Sequence, residues 1–94
     1  MKYKRNKSVR YSYTRHQDSY DYSVFIYNPD TGKDYIFNNV AAFIWEQLGD
    51  SNDTGMLVDY MLEVGIAADR KTISFDIEKL LLIFSNHGLV EMVE

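Results

Sequence analysis

The side chains that most often do chemistry are few and scattered in this chain. Its two histidines, His16 and His87, are far apart, and neither has a partner at metal-ligand spacing. His87 falls in the last turn of a helical pattern, where a cation or a carbonyl donor is ordinary. Asp50 and Asp53 form a close carboxylate pair, but no further oxygen ligands follow at calcium-loop spacing, so the pair reads as a solvated turn. Ser8, Ser12, Ser19, Ser23, Ser51, Ser74 and Ser85 lack the sharp glycine-flanked turn of a nucleophile elbow. The five glycines stand singly, as turns and caps, and build no phosphate cradle. With no cysteine, a disulfide framework and a thiolate metal site are both impossible. The sequence therefore reads as no enzyme, with no catalytic residue, no metal and no cofactor.

What the chain does offer is aromatic surface and uneven charge. Most of its eight tyrosines, namely Tyr11, Tyr13, Tyr20, Tyr22, Tyr27 and Tyr35, sit on or beside strand-like segments. Half-buried sheet positions favour tyrosine, and the same residue suits a contact surface because it joins apolar area to a polar tip. The net charge is −4, yet Lys2, Lys4, Arg5, Lys7, Arg10 and Arg15 all precede the first acid, Asp18. Residues 1–8 read as a basic N-terminal arm, either solvated or in contact with an acidic partner. No run approaches the roughly 18 apolar residues of a membrane span. The basic start lacks the apolar core of a signal peptide, so the expected location is cytoplasmic.

These residues must be positioned by one domain, 1–94, because a chain of this length builds a single core. Alternation from Ser8 onward predicts three antiparallel strands at about 9–15, 22–27 and 33–37. The turn Asn28-Pro29-Asp30-Thr31-Gly32 closes a hairpin between the last two. The period then becomes helical. A first helix is capped by Asn39, presents Val40, Phe43, Ile44 and Leu48, and ends at Gly49. A second begins after Asp53 or Thr54, presents Leu57, Val58, Met61 and Leu62, and ends at Gly65. A third, about 70–87, is capped by Asp69, has the core stripe Ile73, Ile77, Leu80, Leu81 and Phe84, and stops at Gly88. Leu89-Val90 folds back as a short tail. The expected fold is α+β and winged helix-turn-helix-like, with three N-terminal antiparallel strands followed by three α-helices.

Two features of this plan are unusual. The third strand is an edge in a simple meander, and edges are normally blunted by charge, proline or cover. Here Lys33 and Asp34 guard only its start, leaving Tyr35-Ile36-Phe37 apolar and free of proline. The third helix also carries Phe75, Leu82 and Ile83 away from its core stripe, where polar residues should stand. An open edge beside a helix that is apolar on more than one side suits an extended peptide added as a further strand.

The segments YIFNNVAAFIWEQL, TGMLVDYMLEVG and DRKTISFDIEKLLLIFSNHGLVE resemble the PqqD-like family, the recognition elements of ribosomally synthesised and modified peptides. The matching positions are Asn39, Ala41 or Ala42, Ile44, Trp45, Leu48, Thr54, Asp76, Ile77, Leu80, Leu81, Gly88 and Leu89. The similarity spans about Lys33 to Glu91; the first thirty residues match only in strand pattern, and the long basic N-terminus departs from the family. The resemblance implies a stand-alone, non-catalytic peptide chaperone that binds the leader segment of a precursor peptide by β-strand addition. The cleft lies between the third strand and third helix. The partner that the resemblance implies is a maturation enzyme such as a radical SAM enzyme, a cyclase or a leader peptidase. The implied peptide-binding residues are Asp34, Tyr35, Ile36 and Phe37 on the strand and Asp76, Lys79, Leu80, Ile83 and His87 on the helix.

Two other classes compete. A winged-helix nucleic-acid reader needs basic residues on the helix that enters the groove. Here Asp76 and Glu78 interrupt Arg70, Lys71 and Lys79, and the acidic body repels phosphate, so neither nucleic acid nor membrane is an expected partner. A structural homodimer through Phe75 and Leu82, or through the open edge, is the remaining alternative.

Overall fold

The computed structural model describes residues 2–15, 22–49, 52–65 and 68–93. His16, Asp18, Ser19, Tyr20, Asp50 and Ser51, singled out in the sequence, lie outside the described residues. The elements run β1 (Lys2–Arg5), β2 (Arg10–Arg15), β3 (Tyr22–Asn28), β4 (Lys33–Asn38), α1 (Val40–Leu48), β5 (Asn52–Asp53), α2 (Thr54–Glu63), α3 (Arg70–Asn86) and β6 (Val90–Val93). The fold is α+β, as expected. The three strands read from alternation are β2, β3 and β4, an antiparallel sheet in the order β2-β3-β4.

A second sheet, β5-β1-β6, was not foreseen. The N-terminal segment is not a free arm: Lys2–Arg5 is the central strand of that sheet, antiparallel to both neighbours. Its charged residues hid a strand in which Tyr3 is buried, Lys2 is exposed and Lys4 and Arg5 are intermediate. The tail after Leu89 is the strand β6, tied to β1 by the Asn6 N–H bond to the Leu89 carbonyl (2.9 Å) and by the Lys4–Glu91 ion pair (3.5 Å).

The core fills the space between the β2-β3-β4 sheet and the helices. Val24 and Ile26 of β3 meet Ile44, Trp45 and Leu48 of α1, Leu57, Val58 and Met61 of α2, and Ile73, Ile77, Leu81 and Phe84 of α3. Trp45 is fully buried and sets its ring edge-on to Phe84 (5.4 Å). The stripe read for α1 was rotated slightly. Val40 is 53% exposed, whereas Ala42 and Trp45, outside that stripe, are buried.

Arg5 joins the two sheets to α1. Its guanidinium donates to the Tyr11 hydroxyl (2.8 Å) and to the carbonyls of Trp45 and Glu46. It also lies over the Tyr11 ring at 4.7 Å. Both carbonyls belong to the last turn of α1, where a cation is favoured, and that of Glu46 also accepts from the Gly49 N–H.

The helix starts follow capping chemistry in two cases of three. Asp53 accepts from the Met56 N–H (2.8 Å) and Asp69 from the Thr72 N–H (2.7 Å). Asn39 makes no side-chain cap. It adopts φ 51 and ψ −114, a positive-φ conformation outside the left-handed helical well. Its own N–H donates to the Tyr22 carbonyl (2.5 Å) while its carbonyl accepts from Phe43 (2.9 Å). One residue therefore ends the ladder and opens the helix, which is why β4 runs into α1 with no loop.

Candidate functional site

Among the described residues, β4 pairs with β3 alone. Antiparallel pairs alternate between residues that exchange hydrogen bonds across the ladder and residues whose groups point outward. The Asn39-to-Tyr22 bond fixes the phase at one end. The Asn28 carbonyl, accepting from Thr31 and Gly32, closes the hairpin at the other. With the register Val24↔Phe37 and Ile26↔Tyr35, Phe37 and Tyr35 bond inward to β3. The outward N–H and C=O groups are those of Asp34, Ile36 and Asn38. The opposite edge, β2, opens on the exposed Arg10, and charge is a usual protection of an edge.

Side chains follow the same alternation in the other dimension. Val24, Ile26 and Asn28 of β3 are buried while Phe25 and Tyr27 are exposed. Their cross-strand partners sort accordingly. Tyr35 and Phe37 turn toward α3, with Tyr35 4.8 Å from the His87 ring and Phe37 edge-on to Phe84 at 4.9 Å. Tyr35 and Phe37 stack on each other at 6.2 Å, and both are half-buried. Asp34 and Ile36 share the outer face with Tyr27 and Phe25, and Ile36 is 68% exposed. The four strand residues thus divide: Tyr35 and Phe37 line the helix side, whereas Asp34 and Ile36 offer the edge only their backbone.

On α3, spacings of three and four place Asp76, Leu80, Ile83 and His87 on one stripe. Leu80 is half-buried against the core, and Ile83 is exposed. Lys79 instead belongs to the stripe of Phe75 and Leu82, both exposed. The structure brings Tyr35 to His87 and Phe37 to Phe84, sets Leu80 and Ile83 on the stripe that leads to His87, places Asp76 at the far end of that stripe, and sets Lys79 outside it.

One positioning residue was missed. Asn28 reads as a turn residue, yet it is buried. Its side-chain amide donates to the His87 carbonyl (3.3 Å) and the Gly88 carbonyl (3.5 Å), and its oxygen accepts the Asp30 N–H (3.0 Å). The hairpin is thereby tied to the end of α3, setting the separation of strand and helix there. Gly88, at φ 70, passes so close that a Cβ would lie 3.2 Å from the Asn28 amide nitrogen. The Gly88 carbonyl also accepts from the Asn6 side chain (2.9 Å), so β1 supports the same corner.

At the other end, where β4 gives way to α1, an apolar recess of about 130 Å³ opens between α1, α2 and α3. Val40, Ile44, Met61, Ile73 and Leu80 line it, and Asp76 stands among them. Among the described residues no group of three or more His, Asp or Glu could hold a metal ion, and no helix is long and apolar enough to cross a membrane.

The whole architecture is similar to a solved structure, TbiB1 in complex with the TbiA(beta) leader peptide. That match has a TM-score of 0.78 and 24% sequence identity, covering 97% of this chain and 98% of that one. No curated protein matches. A family model does: that of coenzyme PQQ synthesis protein D matches residues 23–90, from the start of the hairpin to the first residue of β6. By that match, and with the strand–helix succession it requires in place, the chain belongs to the PqqD family.

Proposed function

We propose that this chain is a non-catalytic recognition domain. It captures the leader segment of a ribosomally made precursor peptide as a strand added to β4, in the groove beside α3. It then presents that precursor to a maturation enzyme in the cytoplasm: a radical SAM enzyme, a cyclase or a leader peptidase. The observation that carries this reading is the one-sided pairing of β4 next to the Leu80–Ile83–His87 stripe. Membership of the PqqD family supports it, as does the leader peptide named in the structurally similar TbiB1 complex.

The energetics require both parts of the groove. Hydrogen bonds to the outward groups contribute about 0.5–1.5 kcal/mol each, net. Micromolar affinity needs about 8 kcal/mol, after the cost of ordering a flexible peptide. Apolar contacts with Tyr35, Phe37, Leu80 and Ile83 must supply the difference.

The test uses peptides selected on the protein from a displayed random library. A bound peptide should shift the backbone amides of residues 34–38 together with the methyl signals of Leu80 and Ile83 in NMR titration. Shifts confined to residues 2–15 would sink the groove. Affinity should change little with salt, whereas a nucleic-acid site would weaken steeply. Self-pairing of β4 with a second copy would instead appear as a concentration-dependent dimer in sedimentation.

A further inference from the structure

The side chains on the outer face of the β2-β3-β4 sheet take no part in the proposed groove. The ladders align Arg10 with Tyr27 and Tyr27 with Asp34, and Ser12 with Phe25 and Phe25 with Ile36. Aligned residues point to one face, so these six side chains form two adjacent rows across three strands. All six are exposed. Phe25, Tyr27 and Ile36 make a contiguous apolar centre of the kind that marks an interaction surface. Arg10 and Asp34 stand at the two ends of one row, with no ion-pair partner among the described residues. Two strand spacings, about 10 Å, separate them, with Tyr27 between. The domain is 18 Å across its thinnest direction, two layers deep, and no third layer covers this face.

The charge pattern of the face is complementary to itself. A two-fold axis lying between two such faces, parallel to β3, exchanges the sides of the sheet and keeps heights along the strands. It sets β2 of each copy over β4 of the other, and β3 over β3. Arg10 of each copy then meets Asp34 of the other, Tyr27 meets Tyr27, and Phe25 meets Phe25. The strands of the two sheets run nearly in line, the aligned packing of a β-sandwich. Packed sheets stand about 10 Å apart, a gap that an arginine and an aspartate span together. The alternative axis, perpendicular to the strands, sets β2 over β2 and β4 over β4 and brings no opposite charges together. A different protein on this face would not require Arg10 and Asp34 to match each other.

We propose that a second copy of this chain covers the face, in a two-fold, sheet-on-sheet homodimer held by the reciprocal Arg10–Asp34 pairs around Phe25 and Tyr27. The face measures about 14 by 20 Å from strand spacing and rise, less than the roughly 800 Å² per partner of a standard interface. The dimer is therefore weak, with Kd on the order of 0.1 mM. The two β4 edges lie on opposite margins of the pair and both stay open, so self-association does not compete with a guest strand.

Sedimentation of the whole chain from about 10 μM to about 1 mM tests this. The wild type should pass from monomer to dimer over that range and weaken with added salt. Arg10→Asp and Asp34→Arg should each raise Kd at least about tenfold, because each sets like charges together at both ends of the row. An equimolar mixture of these two variants should associate again, since one then carries two acids and the other two arginines at the paired positions. A wild type that stays monomeric throughout overturns the proposal and leaves the face to a different protein. A dimer indifferent to Arg10→Asp, or a mixture that does not associate, overturns it and puts any contact elsewhere. Self-pairing through β4 is told apart by hydrogen exchange: it protects the amides of residues 34, 36 and 38 and ignores Arg10→Asp, two strands away. None of these readouts involves a peptide, so failure of the dimer leaves strand addition standing.

Discussion

Asn28 is a turn residue by type and a buried strut by position. Its amide donates to the carbonyls of His87 and Gly88 at the end of α3, where helix carbonyls lack intrahelical partners. Asn28→Ala should cost about 0.5–1.5 kcal/mol per lost hydrogen bond in urea unfolding, the Gly88 carbonyl keeping its bond from Asn6. It should also weaken peptide binding by loosening the Tyr35–His87 end of the groove. An unchanged unfolding midpoint would mean that the amide is not holding that corner. Sequence alone could not reveal the strut, because a turn asparagine and a bridging asparagine have the same local context; the bridge depends on a helix end far along the chain. Asp69, by contrast, was legible as a cap, and its geometry has a pH consequence. The hydrogen bonds from Thr72 hold its carboxyl below the ordinary carboxylate value. A depressed folded-state pKa means that the cap stabilises above the unfolded value, and that this contribution is lost as pH falls through the folded-state value. Asp69→Asn should therefore flatten part of the acid limb of stability against pH, with little change near neutrality in how stability varies with pH.

At the scale of elements, the strand-to-helix junction was readable because its period changes between Phe37 and Val40 with only two asparagines to absorb the turn. The edge of β4 was readable for the same reason that edges are dangerous: three apolar residues without proline or charge. What alternation could not give by itself was the phase, and the phase decides which residues act through their backbone. The Asn39–Tyr22 bond supplies it. Two proline substitutions then separate function from folding. Ile36→Pro removes an outward N–H and leaves the β3–β4 ladder bonded, so it should keep the fold and weaken selected peptides at least tenfold. Tyr35→Pro removes an inward donor and should destabilise the sheet itself. Thermal unfolding with parallel binding isotherms checks both. Equal destabilisation by the two would show that the phase is wrong. Helix α3 was read well on its core stripe and less well beyond it, since Lys79 shares its face with Phe75 and Leu82 and not with the groove.

Across the whole molecule, the sheet β5-β1-β6 closes the fold, and it was the least legible part. Its strands are two to four residues long and charged, and their pairing joins the two ends of the described chain, Lys2 to Val93, which no local pattern can announce. The segment that looked like an arm for an outside partner is a strand of the domain. Arg5 caps α1 and touches Tyr11, Tyr3 is buried, and Asn6 holds the Gly88 corner of the groove. The Lys4–Glu91 pair is largely exposed and adds little by itself. Removal of residues 1–5 separates the two readings. A solvated arm would leave stability untouched. A central strand takes with it the burial of Tyr3 and the Arg5 cap, and leaves β5 and β6 without a common neighbour. Burial of one large side chain is worth about 1.5–3 kcal/mol, and 1 kcal/mol moves Tm by about 4–8 °C in a domain of this size. The truncated chain should therefore melt at least about 10 °C lower. Because Asn6 then loses its seat against Leu89 and Gly88, peptide affinity should fall as well, although no residue of the groove has been changed. A truncated protein with the parental Tm and affinity would return the segment to the role of a free arm.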